Sequence, residues 1–460
     1  MEPTPGIEQA TTWSRRGVLG LAGLGLAGAA GTAMAALLPE TAPTDSTRDP
    51  DLLPGDAAHA WLRAVYETIW RGGAATPTNA ARIYCAVSVA MYESVAPASG
   101  SLRSLSGQLT GLRPLPRAAA GRTDPVCVMA GALRTLTEHL FRPSPLEPPG
   151  APNPGTFFVV PVFENQVRRR RAAGVPAGMV STSIEHGVRL GRDLVAWVST
   201  DGYEGTLRPY LPPPGESLWR PSPPNFGEPV GPYWSEVRPM VLARADEVAP
   251  VAHVPYSANE GSAFWDQANA TYQTGLALTQ AQRLTAMFWR DNPHTSGLPS
   301  GHWMQIVRQV CEQQGLSLTQ SVEAYARTGI ALHDAFLNCW TWKYRYNLIR
   351  PVDYVHEHID PSWQSWVATP PFPEYTSGHS VASAAASAVL TDLLGEVTFS
   401  DANTITEWGT RSFDSFRAAA EEAAISRQYG GIHYPMAIEF GMDQGYAIAA
   451  LVVNRLQTRI

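Results

Sequence analysis

Three short clusters in roughly the last quarter of the chain combine cationic, hydroxyl and imidazole side chains. They run from Lys343 to Pro351, from Pro371 to His379 and from Ser426 to His433. Cations and neutral donors at this density can hold one tetrahedral trianion through charge-assisted hydrogen bonds to its oxygens. Of two imidazoles, one can bind the central atom of such an anion while the other handles protons. The residue types therefore predict an oxyanion site with acid–base chemistry.

The candidate donors have different physical roles. Lys343, Arg350 and Arg427 supply three positive charges. Ser377 adds a hydroxyl, and Gly378 lets the backbone come close to a ligand because it has no Cβ. Lys343 is the only lysine in a chain with 34 lysine and arginine residues together. Where a compact ammonium is required, arginine is a poor substitute, so the one lysine is a candidate for a specific role.

Helices must position these clusters. Pro351 disfavours helix at Arg350, so the helix before it should end there and present two cations. Gly378 opens a helix of small residues, whose N-terminus offers free amide donors and a positive dipole end to an anion. His433 precedes the last helix, with Pro435 in its first turn. Helix ends thus predict where the three clusters meet.

The rest of the chain also has a helical pattern of apolar residues, without a dinucleotide-binding Gly-rich fingerprint. Long proline-rich loops are expected at about 143–156 and 207–235. The aromatic residues of the 207–235 loop either line the entrance of an active site or cover the helical bundle. We predict an all-α fold of two packed helical bundles, about 56–255 and about 256–460, in one domain. Besides two helices that begin at Asp56 and Pro77, helices are predicted at about 124–142, 159–173, 177–199, 257–275, 279–290, 301–315, 317–340, 378–395, 402–423 and 434–456.

The N-terminus has the pattern of a twin-arginine export signal. Arg15-Arg16 precedes a Gly/Ala-rich stretch, and Ala33-Met34-Ala35 fits a small-residue cleavage site. We predict a signal peptide over 1–35 and a linker over 36–55. The alternative is an uncleaved anchor, which the glycines disfavour. Since no other segment looks apolar enough to span a membrane, we expect an exported protein, periplasmic or extracellular, without a stable membrane anchor.

Composition argues against several other classes. The net charge is −7, and outside the N-terminus the only basic run is Arg168 to Arg171, a pattern typical of a solvated helix face, so no nucleic-acid partner is expected. His356 and His358 lack an identifiable third ligand and are expected in a loop near the surface. The cysteines have no CxxC spacing, which leaves either disulfides or buried free thiols. They are Cys85, Cys127, Cys311 and Cys339.

Taken in order, the clusters resemble a known signature. Lys-x6-Arg-Pro, Ser-Gly-His and Ser-Arg-x5-His resemble the motifs shared by vanadium-dependent haloperoxidases and type 2 phosphatidic-acid phosphatases. The stretch from Asp334 to Trp340, which leads into the lysine, resembles the bacterial haloperoxidase-like branch. The resemblance covers roughly the last quarter of the chain and implies a vanadate cofactor. The residues that it assigns to vanadate are Lys343, Arg350, Ser377, Gly378, Arg427 and His433.

The resemblance implies two alternative reactions. In a haloperoxidase, His433 binds vanadium, His379 takes a proton from hydrogen peroxide, and Lys343 polarises the peroxide. A halide, which is bromide or also chloride in the family's reaction, then attacks the bound peroxide, and the oxidised halogen reacts with a small organic substrate. In a phosphatase, His433 becomes a phosphohistidine and His379 protonates the leaving alcohol. A non-catalytic oxyanion-binding protein would lose the proton-handling histidine, yet both histidines are present. A homodimer is one expectation for the assembly.

Four features favour the haloperoxidase. Ala437 stands where the phosphatase pattern has an aspartate that orients the final histidine. Phe372 and Trp340 resemble halide-pocket aromatics of chloroperoxidase-like members, with core packing as the alternative. The chain is also far longer than a minimal phosphatase.

Two further residues bear on the resemblance. Asp291 resembles the family's acidic partner for an active-site arginine, or it is a plain helix-terminal aspartate. Thr376, in place of the usual proline, departs from the pattern.

A second Ser-Gly-His occurs at Ser300-Gly301-His302 and keeps the preceding proline, Pro299. It comes before the lysine, whereas the family order places the lysine first. It also opens a helix of bulky residues. We therefore predict that the later copy, at residues 377–379, forms the anion loop.

Overall fold

The computed structural model describes residues 48–73, 75–117, 121–142, 154–402 and 408–460. The predicted signal peptide and the linker up to residue 47 lie outside the described residues. Within the described ranges the chain folds into 13 helices and one two-stranded sheet, which confirms the all-α prediction. The helices are α1 (Asp56–Gly72), α2 (Pro77–Val95), α3 (Pro125–Leu140), α4 (Pro154–Ala172), α5 (Ala177–Val198), α6 (Ala263–Leu276), α7 (Gln280–Phe288), α8 (Leu298–Gln313), α9 (Leu318–Tyr346), α10 (Pro351–His358), α11 (Gly378–Leu394), α12 (Phe416–Tyr429) and α13 (Pro435–Arg455).

Helix α9 forms the centre of the molecule. Its 29 residues begin at a capping box in which Ser317 and Gln320 satisfy each other's backbone, and they end at Asn347 in the left-handed conformation. It packs against α2 on one side and α11 on the other, while α11 also contacts α12 and α13. Almost all of α9 is buried, which is typical of a core helix. One continuous apolar core therefore joins the N-terminal helices to those that carry the three clusters.

The predicted helix over 402–423 is wrong in its first half. Strands β1 (Phe399–Ala402) and β2 (Thr410–Phe413) pair antiparallel there, and α12 begins only at Phe416. Phe399 lies opposite Phe413 in the register, and both rings are buried in the core. Ser415 then caps α12 by accepting the Ala418 N–H. Burial of the aromatic pair overrides local helix propensity at this point.

Helix α10 was not expected from the sequence. Pro351 prevents α9 from continuing, but it also occupies the first turn of a new helix, a position where a proline needs no N–H. His356 and His358 consequently lie on a helix rather than in a loop. His356 contacts the Trp363 carbonyl oxygen, and His358 contacts the Tyr256 hydroxyl. Among the described residues no group of three or more His, Cys, Asp or Glu could hold a metal ion.

The structure shows the state of the four cysteines, for which the sequence left two alternatives. All four cysteines are buried free thiols, so the disulfide alternative is wrong.

Helix α13 is long and apolar enough to cross a membrane by length and composition. This is contrary to our expectation that only the signal segment would meet this criterion. Half of its apolar window is buried in this fold, where it packs against α11. A core helix meets the same criterion.

Candidate active site

The cations of the first cluster are bonded to the loop that leads into α11. Lys343, near the end of α9, donates from Nζ to the carbonyl oxygens of Pro373 (3.0 Å) and Glu374 (2.8 Å). Arg350, the residue before α10, donates from Nε to the Phe372 carbonyl oxygen at 2.8 Å. Both cationic side chains are fully buried. The predicted first and second clusters therefore meet in one packed unit.

Arg350 also joins this unit to the third cluster. Its Nη1 donates to the Ile432 carbonyl oxygen at 2.8 Å and lies 3.4 Å from His433 Nε2. Its Nη2 is buried and has no hydrogen-bond partner. A buried guanidinium nitrogen without a partner is costly, so this atom indicates that the site is built to hold an additional acceptor.

Glu374 orients His433, a role that we did not predict from the sequence. Its Oε1 accepts from His433 Nδ1 at 2.8 Å and from the Tyr434 N–H at 2.9 Å. Burial raises the pKa of Glu374 to about 7, although Lys343 and Arg350 oppose this shift. Because Nδ1 carries the proton, Nε2 of His433 keeps its lone pair toward the site. The sequence did contain one signal for this role, which is the acidic residue between Pro373 and Tyr375 in the loop before Ser377.

Ala437 does not leave the final histidine without an orienting carboxylate. Ala437 uses its backbone carbonyl to accept the Ser377 N–H at 2.9 Å, so it holds the anion loop in place. A carboxylate does orient the final histidine, but Glu374 supplies it from a different element. The missing aspartate at position 437 therefore does not distinguish a peroxidase from a phosphatase.

The anion loop is shaped by close packing on Trp340. Ser377 caps α11 and accepts the Ser380 N–H at 3.3 Å. A Cβ on Gly378 would lie 3.1 Å from Cζ3 of Trp340, so a side chain at this position would crowd the indole ring. The Trp340 ring is fixed in turn by its Nε1, which donates to the Val230 carbonyl oxygen at 3.1 Å. The N-terminus of α11 thus rests against an immobilised aromatic wall.

His379 and Arg427 complete the predicted set. Nε2 of His379 lies 3.5 Å from Oδ2 of Asp291 and has no hydrogen-bond partner. Burial, followed by the charge of Arg427, lowers the pKa of His379 to about 4, while Asp291 opposes the shift. Arg427 is buried and donates from Nε to the Ser426 hydroxyl at 2.9 Å and from Nη2 to the Ala286 carbonyl oxygen at 3.1 Å. His379 is therefore a neutral base at physiological pH.

Asp291 lies beside the site, but its direct contacts are imidazoles. Its carboxylate oxygens lie 3.0 and 3.1 Å from Nδ1 of His302. Burial alone would raise the pKa of Asp291, but His302 and then His379 hold it well below its ordinary value. Its influence on Arg427 is electrostatic, since the charge of Asp291 opposes the effect of burial on the Arg427 pKa.

The earlier Ser-Gly-His copy lies near the start of α8, and its residues are buried there. Ser300 is fully buried within α8, and Gly301 packs against the hydroxyl of Tyr84. His302 stacks on Trp289 with ring centroids 4.4 Å apart. The placement of the two copies agrees with the choice of residues 377–379.

A cleft with about 480 Å³ of empty space lies over these groups. Its apolar lining includes Phe336, Trp340 and Phe372, with the Trp340 and Phe372 ring centroids 4.8 Å apart. The polar side chains in the lining are those of Arg290, Asp291, Asn292, His379, Arg427 and His433. Lys343, Arg350 and Ser377 are fully buried and are not part of this lining.

The aromatic residues of the 207–235 loop do not line the cleft. Trp219 and Trp234 are buried, Phe226 is exposed, and none of them contributes to the lining. The loop instead supports the site from behind, because Val230 accepts a hydrogen bond from Trp340 and its N–H donates to Pro371. Trp219 and Trp234 thus pack into the protein interior, as the second alternative predicts.

The residues present fit a tetrahedral oxyanion. Burial lowers the pKa of Lys343 to about 7 and those of Arg350 and Arg427 to about 10. Three cations are thus held out of water with few carboxylates to neutralise them. A bound anion would restore the balance and satisfy Nη2 of Arg350.

A family model described as the VCPO second helical-bundle domain matches residues 323–460. A crystal structure described as the first bacterial vanadium-dependent iodoperoxidase is 33% identical in sequence, with a TM-score of 0.80. That match covers 88% of this chain and 97% of that chain. The chain belongs to the vanadium haloperoxidase superfamily.

More distant members of the vanadium haloperoxidase superfamily share the fold. The apo-type bacterial vanadium-dependent chloroperoxidase is 14% identical, with a TM-score of 0.61, over 83% of this chain and 95% of that chain. The holo-type structure is 14% identical, with a TM-score of 0.59, over 92% of this chain and 97% of that chain. A search of curated proteins gave no match.

Proposed function

We propose that this protein is a vanadate-dependent haloperoxidase that uses hydrogen peroxide to oxidise bromide and iodide, with chloride as a harder substrate, and so halogenates small organic molecules. The observation that carries the proposal is the 33% identity to a bacterial iodoperoxidase over 88% of the chain. A cleft whose lining combines arginines and imidazoles with aromatic rings agrees with it.

Vanadate would be held by the groups that meet beneath this cleft. His433 is the only one that would bind vanadium itself, through Nε2, because Glu374 occupies Nδ1. The other five would hold its oxygens, and they are Lys343, Arg350, Ser377, Gly378 and Arg427. When bound, vanadate supplies a Lewis acid that activates peroxide without a change in its own oxidation state.

The chain's own residues would handle the proton and the charge. His379 is neutral because burial lowers its pKa, so Nε2 can take a proton from hydrogen peroxide. The nearby Asp291 carboxylate then stabilises the protonated ring. The buried ammonium of Lys343 stabilises negative charge that develops on oxygen. Trp340 and Phe372 offer a polarisable, water-excluding surface to a halide.

A phosphatase is the alternative function, and the Glu374–His433 pair favours it. A histidine held at Nδ1 by a carboxylate presents Nε2 as a nucleophile, which would form a P–N bond while the P–O bond to the alcohol breaks. His379 would then have to be protonated to release the alcohol. Because its pKa lies near 4, that reaction would require an acidic medium, whereas the peroxidase reaction requires the neutral imidazole.

The two functions can be separated by parallel assays of the purified chain. We expect bromination of monochlorodimedone with hydrogen peroxide and bromide, dependent on added vanadate, and oxidation of iodide. Hydrolysis of p-nitrophenyl phosphate should be weak at neutral pH. His433→Ala should abolish either activity. Phosphate hydrolysis without halide oxidation would overturn the peroxidase proposal, and vanadate binding without either activity would indicate an oxyanion-binding protein.

Export is part of the proposal. The residues of the twin-arginine pattern, Arg15-Arg16, and the small-residue cleavage pattern at Ala33-Met34-Ala35 support it. Replacing both arginines with lysine should retain the protein, with its signal, in the cytoplasmic fraction of the producing cell. Secretion of that variant at the wild-type level would contradict export by this route. The homodimer and the division into two bundles stay predictions.

A further inference from the structure

A buried imidazole outside the cleft lies between two carboxylates. Nδ1 of His302 lies 3.0 Å from Oδ1 of Asp291, and Nε2 lies 2.8 Å from Oδ2 of Asp401. All three residues are more than nine-tenths buried. Asp401 comes from strand β1, His302 from helix α8 and Asp291 from the loop after α7. Three elements thus converge on one ionised cluster.

The geometry sets the number of protons on His302. A neutral imidazole has one N–H donor, yet each ring nitrogen here faces a carboxylate oxygen at hydrogen-bond distance. An imidazolium donates from both ring nitrogens and so satisfies both carboxylates at once. The charges agree, because Asp291 and Asp401 raise the pKa of His302 to about 10 even though burial lowers it.

Asp291 connects this cluster to the reaction site. Its Oδ2 lies 3.5 Å from Nε2 of His379, so the same carboxylate faces two imidazoles. The more positive charge His302 carries, the more of the Asp291 charge it compensates. The charge state of His302 therefore controls how strongly Asp291 favours a proton on His379.

We propose that Asp401, His302 and Asp291 form a buried relay that positions His379 and sets its basicity, so that Asp401 and His302 are positioning residues for the reaction. The catalytic part of this proposal rests on the proposed function. The relay itself is a property of the folded chain.

The surroundings of His379 are consistent with this assignment. The titratable and charged groups that face it come from four elements: Arg290 and Asp291 after α7, His302 on α8, Arg427 on α12, and His433 before α13. Arg427, like burial, lowers the basicity of His379, while Asp291 raises it. A change in the compensation of Asp291 therefore acts directly on His379.

The relay lies in the wall between two cavities. A second space of about 210 Å³ is lined by Tyr66, Ser296 and Gln305 together with His302 and Asp401, and it shares Asp291 with the active-site cleft. Gln309 donates to Oδ1 of Asp401 at 3.0 Å, which fixes the far end. Asp401 reaches the relay because β1 pairs with β2 instead of continuing as helix.

Asp401→Asn tests the relay without touching His379. The asparagine keeps the shape and can donate to Nε2, so His302 can become neutral while Nδ1 still donates to Asp291. Loss of that positive charge leaves Asp291 less compensated, and the pKa of His379 should rise by about one unit. Histidine-selective ¹⁵N labelling of the vanadate-free full chain, with His379→Ala for assignment, measures this shift. His302→Gln, which cannot carry a charge, should act in the same direction.

Gln313→Ala is the matched control. Gln313 also lies on α8 and donates to β1, at the Ser400 carbonyl oxygen, but it does not touch the relay. We expect it to leave the His379 titration unchanged. An unchanged titration in both Asp401→Asn and His302→Gln, or an equal shift in Gln313→Ala, would overturn the relay.

The pH profile of catalysis provides the second measurement. In an active enzyme, the acid limb of kcat/KM for peroxide should move upward with the His379 pKa in Asp401→Asn. A limb that stays in place while the NMR titration moves would overturn the catalytic role. If the titration moves but the wild-type chain oxidises no halide, the proposed function fails while the relay stands.

Discussion

Glu374→Gln tests how much the orientation of His433 contributes to anion binding. The carboxylate accepts two hydrogen bonds, from His433 Nδ1 and from the Tyr434 N–H, and it is fully buried. Glutamine keeps the volume and an acceptor oxygen but removes the charge. A hydrogen bond to a charged group is stronger than a neutral one by about 1 kcal/mol. The bond from the Tyr434 N–H is present with and without vanadate, so only the bond to His433, whose Nε2 would bind vanadium, changes the affinity. The loss of about 1 kcal/mol corresponds to about a fivefold weaker Kd for vanadate.

The size of this effect should depend on pH with a defined sign. Burial raises the pKa of Glu374 to about 7. Below that pH the wild-type carboxyl is protonated and resembles glutamine, whereas above it the charge is present. The ratio of the two Kd values should therefore be small at pH 6 and reach its full size at pH 8. Isothermal titration with vanadate at both pH values measures it, since the speciation of vanadate cancels in the ratio.

Glu93→Gln is the control for this measurement. Glu93 is also buried and accepts from the Leu105 N–H and the Ser104 hydroxyl, in a region that does not line the cleft. It should lower the free energy of unfolding without weakening vanadate binding. Equal vanadate affinity of Glu374→Gln and wild type at pH 8 would refute the reasoning, as would an equal loss in Glu93→Gln.

Three further outcomes are expected. Lys343→Arg should lower the rate of halide oxidation at saturating vanadate by about a hundredfold, and it should lower the free energy of unfolding in urea by about 2 kcal/mol. The reason is that the fully buried ammonium already makes two close carbonyl contacts. A rate within threefold of wild type would contradict this. Gly378→Ala should raise the Kd for vanadate about tenfold, since the added Cβ would press on Trp340. Gly178→Ala is the control, because its Cβ would meet open space, and it should leave this Kd unchanged. The stabilisation that His302 contributes should be fully present at pH 6.5 and be lost toward pH 10, because burial is outweighed by Asp291 and Asp401 and its pKa in the folded state is about 10. His302→Gln should therefore show a shallower fall in Tm between these two pH values.

The oxyanion residues could be predicted because their signals are local. A proline that ends one helix, a glycine that opens another and a cap two residues before His379 act through contacts within a few residues of the chain. The order of Lys343, Arg350, Ser377, Arg427 and His433 then matched one known signature. The sequence by itself therefore determined the fold class and the residues that meet at the site.

Only the tertiary structure decided how those residues are held and tuned. Glu374 and His433 are 59 residues apart, and His302 and Asp401 are 99 apart. Neither pairing has a local pattern, since each depends on which helices pack together and which side chains lose water in the process. The same holds for the strand that carries Asp401, because burial of its aromatic neighbours outweighs the helix propensity of its own residues.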